Sequence, residues 1–188
     1  MTEPPSERAA TFDRLYAANP DPWEVETSAY EQAKRDETMA ALGTQCFASA
    51  LEIGCSTGIL TERLAPICER LVAIDVSAEA LRLARERLQG QPHVTFQHGE
   101  VPRDWPAGRF HLIVFSEVLY FLSADEIVRA STLARQALAD DGKCLLVNWT
   151  GPNDLPIGGD RAVDLFGGQG WRVAEHRTRP NYRIDLFA

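Results

Sequence analysis

The chain has 188 residues, of which 45% are hydrophobic, and its 27 acidic and 19 basic side chains give a net charge of −8. This length suggests one domain with a substantial hydrophobic core, and the acidic balance argues against a nucleic-acid partner, whose phosphate backbone requires a basic face. No apolar run approaches the roughly 20 residues that span a bilayer, and the polar segment MTEPPSERAA lacks the features of a signal peptide. We therefore expect a cytoplasmic protein without a membrane or nucleic-acid partner.

The N-terminal segment is expected to be irregular at first and helical later. Residues 1 to about 10 are predicted to form a frayed tail, and two prolines interrupt the segment that follows. From about Ser28 to Leu42, small and apolar residues recur at spacings of three and four, which predicts a helix ended by Gly43. We expect residues 1–43 to form a tail and lid helix, and residues 44–188 to form the binding domain of a single globular unit.

The central part of the chain alternates strands with helices. The predicted strands are SALEIG, RLVAIDVS, HVTFQHG, RFHLIVFSE and KCLLVNW, the last one following a predicted turn at DDGK. The helices between them include AEALRLARERL, capped by Ser77, and SADEIVRASTLARQAL, in which Ser123 and Glu126 have the spacing of a capping box. This alternation predicts an α/β fold with a doubly wound, mostly parallel sheet.

The C-terminal part departs from this alternation. A short helix is predicted from about Asp160, followed by the two strands WRVAEHR and YRIDLF. Too few residues separate these strands for a crossover helix, so the pair is expected to be antiparallel and to complete a seven-stranded sheet.

The loop after the first strand, LEIGCSTG, carries the strongest indication of function. In an open parallel sheet, ligands bind beyond the carboxyl ends of the strands, and glycines allow the backbone to approach them closely. Gly54 and Gly58 have the spacing G-x-x-x-G, with Ser56 in place of the middle glycine of the dinucleotide fingerprint. Glu52 stands before them, where an acid is unfavourable beside a pyrophosphate but suits an ammonium group. The pattern favours S-adenosylmethionine over NAD.

Several motifs resemble those of a known enzyme class. ALEIGCSTGILTERLA, AIDVS, HGEVP and FHLIVFSEVLYFL resemble, in order, the motifs of class I S-adenosylmethionine-dependent methyltransferases over residues 48–149. DPWEVETSAYEQAKRDETMAAL and SEVLYFL resemble more specifically the nodulation protein S (NodS-like) N-methyltransferases, which methylate amino sugars of chitooligosaccharides. The resemblance implies a Rossmann-like fold, S-adenosylmethionine as the cofactor, and a small molecule or amino sugar as the acceptor. The four cysteines do not have the spacing of zinc ligands, so no metal site is expected.

The resemblance also implies which residues bind the cofactor. Those implied for the methionine portion are Glu52, Gly54, Ser56, Gly58 and Ser116. Asp75 would accept hydrogen bonds from the two ribose hydroxyls, because a carboxylate suits a vicinal diol, and Val76 would pack on the adenine. Glu100 would accept a hydrogen bond from the adenine amino group, with the Val101 N–H beside it.

The N-terminal helix supplies further candidates. Trp23 and Tyr30 are candidate lid aromatics, although packing against the sheet would explain them equally well. Lys34 or Arg35 could meet the cofactor carboxylate, while an exposed helix face is the alternative for both. Together with the loop at residues 150–159, this segment is expected to cover the substrate.

The acceptor site is expected after the fourth strand. Related enzymes often carry a histidine there, and its absence favours an amine acceptor, which only has to be neutral, over a hydroxyl, which usually needs a base. Glu117 and Tyr120 are the candidate catalytic residues. Glu117 would bind a cationic amine or act as a base. An equal alternative is that Glu117 is an acid in the first turn of a helix, where the helix dipole favours a negative charge.

Three other functions remain open. An O-methyltransferase of a small metabolite would share the same cofactor. An NAD-dependent oxidoreductase is disfavoured by the missing middle glycine, and a non-catalytic module that binds S-adenosylmethionine would keep the fold without the reaction.

Overall fold

A computed structural model describes residues 6–188, which form one mixed sheet with helices on both faces. The strands are β1 (Ala50–Ile53), β2 (Leu71–Asp75), β3 (Val94–His98), β4 (Phe110–Ser116), β5 (Leu138–Trp149), β6 (Val173–Thr178) and β7 (Tyr182–Phe187). The α-helices are α1 (Glu7–Ala18), α2 (Ala29–Leu42), α3 (Ile59–Leu64), α4 (Ala78–Arg87), α5 (Ala124–Ala137) and α6 (Gly159–Gly167). Short 3₁₀ turns follow α3 (Ala65–Ile67) and β4 (Leu119–Phe121).

The sheet has the strand order β3-β2-β1-β4-β5-β7-β6. Strands β1 to β5 pair in parallel, whereas β7 lies antiparallel between β5 and β6. The predicted seven-stranded, mostly parallel sheet with an antiparallel C-terminal pair is confirmed. The strand order reverses between β1 and β4, and ligands bind at such a switch point in open α/β sheets.

The central strands are apolar because both of their faces are covered. Along β4, Ile113 and Phe115 belong to one core cluster with residues of α5 and α6. Leu112 and Val114, on the opposite face, belong to a second cluster with residues of α2 and α3. A strand buried on both sides is expected to be hydrophobic throughout rather than alternating.

The predicted helix caps are present. The side chain of Ser77 accepts a hydrogen bond from the Ala80 N–H, and Ser123 and Glu126 form both bonds of the capping box. Helix α2 begins after Ser28 and ends before Gly43, whose φ of 70° is favourable for glycine.

Helix α1 contradicts the prediction for the N-terminal segment. It begins at Glu7, where a frayed tail was expected, and Ser6 caps it by accepting a hydrogen bond from the Ala9 N–H. The helix buries Ala9 and Tyr16 against the rest of the protein. A local cap and tertiary contacts therefore both stabilise this helix. Residues 1–5 of the expected tail lie outside the described residues.

The predicted turn at DDGK is also wrong. These residues belong to β5, which is continuous from Leu138 to Trp149. Phe110 pairs with Leu138 and Leu112 pairs with Lys143, so the register shifts between the two positions. A bulge of this kind absorbs the additional residues without ending the strand.

Among residues 6–188, no helix has both the length and the apolar character needed to cross a membrane.

Candidate active site

A cavity of about 650 Å³ opens at the carboxyl ends of the central strands. This volume lies within the range of about 300–1,000 Å³ that is common for small-molecule sites. Residues of α1 and α2 form part of its wall, as do Asn153 and Leu155 from the loop after β5. Residues of both segments that are expected to cover the substrate thus line this cavity.

The loop after β1 adopts a conformation that favours glycine. Gly54 has a φ of 78°, and a Cβ on it would lie 2.0 Å from the Val118 Cγ2. Ser56 has a φ of 51° although it is not a glycine. Gly58 does not line the cavity, and a Cβ on it would lie 3.1 Å from the Ala84 Cβ, so this glycine permits close packing of α3 on α4.

Asp75 connects two loops beneath the cavity. Its Oδ2 accepts a hydrogen bond of 2.8 Å from the Ser56 N–H, and its Oδ1 accepts one of 2.9 Å from the Ser77 N–H. Burial raises the pKa of this carboxyl group, while the two backbone N–H groups oppose that shift. Each carboxylate oxygen has a second lone pair and can accept a further hydrogen bond.

Glu52 lines the cavity and is 1% exposed. Its Oε2 is buried and has no hydrogen-bond partner among residues 6–188. Burial, together with the charge of Asp75, raises the pKa of Glu52 to about 8. A buried carboxyl oxygen without a hydrogen-bond partner is costly, so this position suits a ligand that brings a cation or a hydrogen-bond donor.

At the β3 end of the cavity, Glu100 pairs with a residue of α1. The Arg8 Nη1 lies 2.6 Å from the Glu100 Oε1, and the same guanidinium binds both oxygens of Glu126. Val76 and Val101 line the adjacent wall.

Helix α1 makes further polar contacts with the loops that surround the cavity. The hydroxyl groups of Tyr16 and Ser56 are 2.6 Å apart, and the Asp13 Oδ1 accepts a hydrogen bond from the Ser77 hydroxyl at 2.6 Å. Phe12 packs edge-on against Phe121. The sequence interpretation missed α1 and its cavity residues, although Arg8, Phe12 and Tyr16 have the four-residue spacing of one helix face.

Glu117 is the centre of a polar cluster at the end of β4. Its Oε1 lies 2.6 Å from the Lys34 Nζ, and its Oε2 accepts hydrogen bonds from the Tyr120 hydroxyl at 2.6 Å and the Trp149 N–H at 2.7 Å. Burial lowers the pKa of Lys34, but the neighbouring carboxylates of Glu117 and Glu31 outweigh it and the pKa is raised.

The remaining candidates from the N-terminal segment also line the cavity. The Arg35 Nη1 donates a hydrogen bond of 2.6 Å to the Val25 carbonyl oxygen. Trp23 packs edge-on against Tyr16, and Tyr30 does so against Trp149. The predicted site residues that line the cavity are Trp23, Tyr30, Arg35, Glu52, Gly54, Ser56, Asp75, Val76, Glu100, Val101, Ser116, Glu117 and Tyr120. The cavity therefore brings residues of the N-terminal segment together with residues at the carboxyl ends of β1 to β4.

Comparison with protein families matches residues 7–148 to the model of nodulation protein S (NodS). Nodulation protein S of Bradyrhizobium diazoefficiens is 40% identical over 103 residues, which are 54% of this chain and 49% of that protein. Nodulation protein S of Sinorhizobium fredii is 35% identical over 112 residues, which are 59% of this chain and 52% of that protein. These matches span about half the length of the curated relatives.

Solved structures share this architecture over most of the chain. A candidate methyltransferase from Pseudomonas syringae is 33% identical, with a TM-score of 0.76 over 85% of this chain and 99% of that one. The N-methyltransferase NodS from Bradyrhizobium japonicum, solved with S-adenosylhomocysteine, is 24% identical, with a TM-score of 0.84 over 97% and 98% of the two chains. Since the family model matches most of the sequence, the chain belongs to the nodulation protein S (NodS) family.

Proposed function

We propose that this protein is an S-adenosylmethionine-dependent methyltransferase that methylates a nitrogen atom of a small molecule, with amino sugars as the acceptor class. The observation that carries the proposal is the buried carboxyl group of Glu52, whose Oε2 has no hydrogen-bond partner among the described residues and which lines the same cavity as Asp75 and Glu100. The NodS structure solved with S-adenosylhomocysteine supports the cofactor, and its description as an N-methyltransferase supports the acceptor atom.

The three acids match the donor groups of S-adenosylmethionine. That molecule carries an ammonium group, a ribose diol and an adenine amino group, and it supplies an electrophilic methyl group when bound. We assign Glu52 to the ammonium group, Asp75 to the diol and Glu100 to the adenine amino group. The open lone pairs of Asp75 and the unpartnered Oε2 of Glu52 fit these donors.

The other cavity residues would align the cofactor and exclude water. In the proposed arrangement, Gly54, Ser56 and Ser116 surround the methionine portion, and Arg35 pairs with its carboxylate. Val76 and Val101 contact the adenine, while Trp23 and Tyr30 close the mouth of the cavity. Alignment and removal of water are the main contributions that a protein makes to an in-line displacement.

Glu117 and Tyr120 would act on the acceptor side. The Tyr120 hydroxyl donates a hydrogen bond to Glu117. The lone pairs of the Tyr120 oxygen are therefore available to accept a hydrogen bond from an N–H of the acceptor amine. Glu117 would orient this hydroxyl rather than remove a proton, since donors already occupy both of its oxygens.

The test begins with calorimetric titration of S-adenosylhomocysteine and, separately, NADH. We expect S-adenosylhomocysteine to bind and NADH not to bind, and tight NADH binding alone would overturn the proposal. Transfer of a labelled methyl group to a panel of amines then separates an enzyme from a non-catalytic module. Methylation of the matching alcohols, without methylation of the amines, would show that the protein is an O-methyltransferase instead.

The proposed compartment is the cytoplasm. Cys46, Cys55, Cys68 and Cys144 are free thiols in the structure, which fits a reducing environment.

A further inference from the structure

Lys34 lies between two carboxylates in the cavity wall. Its Nζ is 2.9 Å from the Glu31 Oε1 and 2.6 Å from the Glu117 Oε1, and the residue is 6% exposed. The Lys34 Nζ also lies 5.5 Å from the centre of the Tyr30 ring. One cation and two anions give this cluster a net negative charge.

The two carboxylates differ in how many of their oxygens already accept hydrogen bonds. Glu117 has Lys34 on one oxygen and both Tyr120 and the Trp149 N–H on the other. Glu31 binds Lys34 through Oε1, while its Oε2 has no hydrogen-bond partner among residues 6–188. The Glu31 side chain is 16% exposed and lines the cavity. The carboxylate oxygen of this cluster that can accept a further hydrogen bond therefore belongs to Glu31.

The position of Glu31 is on the acceptor side of the cavity. The cluster is tied to β5, because the Glu117 N–H donates to the Val147 carbonyl oxygen and the Trp149 N–H donates to Glu117. Asp75 and Glu100, the acids assigned to the ribose and adenine, lie on the other side of β1, because Asp75 ends β2 and Glu100 follows β3. An anion in a partly buried site beside aromatic rings favours a cationic group over a neutral one.

We propose that Glu31 determines specificity for the acceptor by binding its ammonium group through Oε2, with Lys34 as a positioning residue that holds Glu31 and Glu117 in place. The inference rests on the proposed function and deepens it. The acceptor arrives as an ammonium ion, donates a hydrogen bond to the Glu31 Oε2, and is selected over an otherwise identical molecule that carries a hydroxyl group. The Glu31 carboxylate takes one proton from the bound ammonium group, which leaves the neutral amine that methyl transfer requires. Glu31 thus performs the recognition that the sequence interpretation gave to Glu117.

The experiment compares the binding of glucosamine and glucose by calorimetry to protein saturated with S-adenosylhomocysteine. We expect the wild type to bind glucosamine at least tenfold more tightly than glucose. The variant Glu31→Gln should lose this preference, whereas Glu31→Asp should retain part of it. Asp36→Asn is the matched control, because Asp36 is an exposed acid of the same helix that pairs with Arg63.

Each other outcome overturns the inference. A Glu31→Gln variant that keeps the amine preference, or that loses affinity for both sugars equally, would show that Glu31 does not recognise the ammonium group. Weaker binding of S-adenosylhomocysteine with an unchanged amine preference would place Glu31 in the cofactor site. A wild type without any amine preference would contradict the inference alone, whereas a wild type that does not bind S-adenosylhomocysteine would overturn the proposed function as well.

Discussion

Two residues at the strand ends adopt backbone conformations that side chains usually avoid. Ser56 has a φ of 51° and Glu117 a φ of 57°. Such conformations are costly for residues other than glycine and persist where surrounding contacts hold them. The Ser56 N–H donates to Asp75, and the Glu117 N–H donates to the Val147 carbonyl oxygen. The bond to Asp75 holds Ser56 in this conformation, so a serine can stand in place of the middle glycine of the loop.

Replacement of Asp75 by alanine is expected to weaken the binding of S-adenosylhomocysteine more than tenfold. The variant loses the proposed acceptor for the ribose diol and also the carboxylate that holds the Ser56 N–H. Calorimetry gives the dissociation constant, and circular dichroism checks that the variant is folded. An unchanged dissociation constant would remove Asp75 from the cofactor site.

Replacement of Glu117 by glutamine is expected to reduce turnover at least tenfold while the affinity for S-adenosylhomocysteine stays within about twofold. The neutral side chain no longer pairs with Lys34, and it holds the Tyr120 hydroxyl less firmly than a carboxylate does. Steady-state kinetics and calorimetry measure the two quantities. The reverse pattern, normal turnover with weak cofactor binding, would place Glu117 in the cofactor site.

At the scale of elements, α1 is the part of the fold that closes the cavity. Arg8, Asp13 and Tyr16 bind residues of three different loops, which follow β3, β2 and β1. Sequence interpretation did not find this helix because few of its residues are buried and its contacts are distant in sequence. The capped helices α4 and α5 were predictable because the cap and the periodic apolar face are local signals.

Replacement of Tyr16 by phenylalanine is expected to weaken cofactor binding about threefold to tenfold. The change removes the 2.6 Å hydrogen bond to the Ser56 hydroxyl, and a bond of this kind contributes about 1 kcal/mol. Calorimetry with S-adenosylhomocysteine measures the effect. Arg14→Ala, an exposed position on the same helix, should match the wild type; equal losses in both variants would indicate general disruption of α1.

At the scale of the whole molecule, the sheet order brings acids from separate parts of the sequence into one cavity. Glu52 and Asp75 lie at neighbouring strands, and both are buried. Burial of carboxyl groups that lack a bound cation links the stability of the protein to pH. The unfolding free energy of the ligand-free protein should therefore depend on pH through Glu52.

The free energy of unfolding of the ligand-free protein is expected to decrease between about pH 4.5 and pH 8 through Glu52. The folded state raises the pKa of this group to about 8, so it binds more protons than the unfolded chain in that window. The contribution of Glu52 to stability is complete below the pKa that this group has in the unfolded chain. It is lost as the pH rises through the pKa that the group has in the folded protein. Glu52→Gln should flatten this part of the profile in urea unfolding, and an identical slope in both proteins would contradict the assignment.

The sequence by itself determined the order of strands and helices from Ala50 onward, and the loop motif that identifies the family. Both depend on signals between near neighbours, namely apolar runs, helix caps and glycine spacing. Only the tertiary structure decided that α1 covers the cavity, that β7 lies between β5 and β6, and that Lys34 binds Glu117 across 83 positions of sequence. The physical reason is that such contacts depend on the path of the whole chain, which no local pattern records.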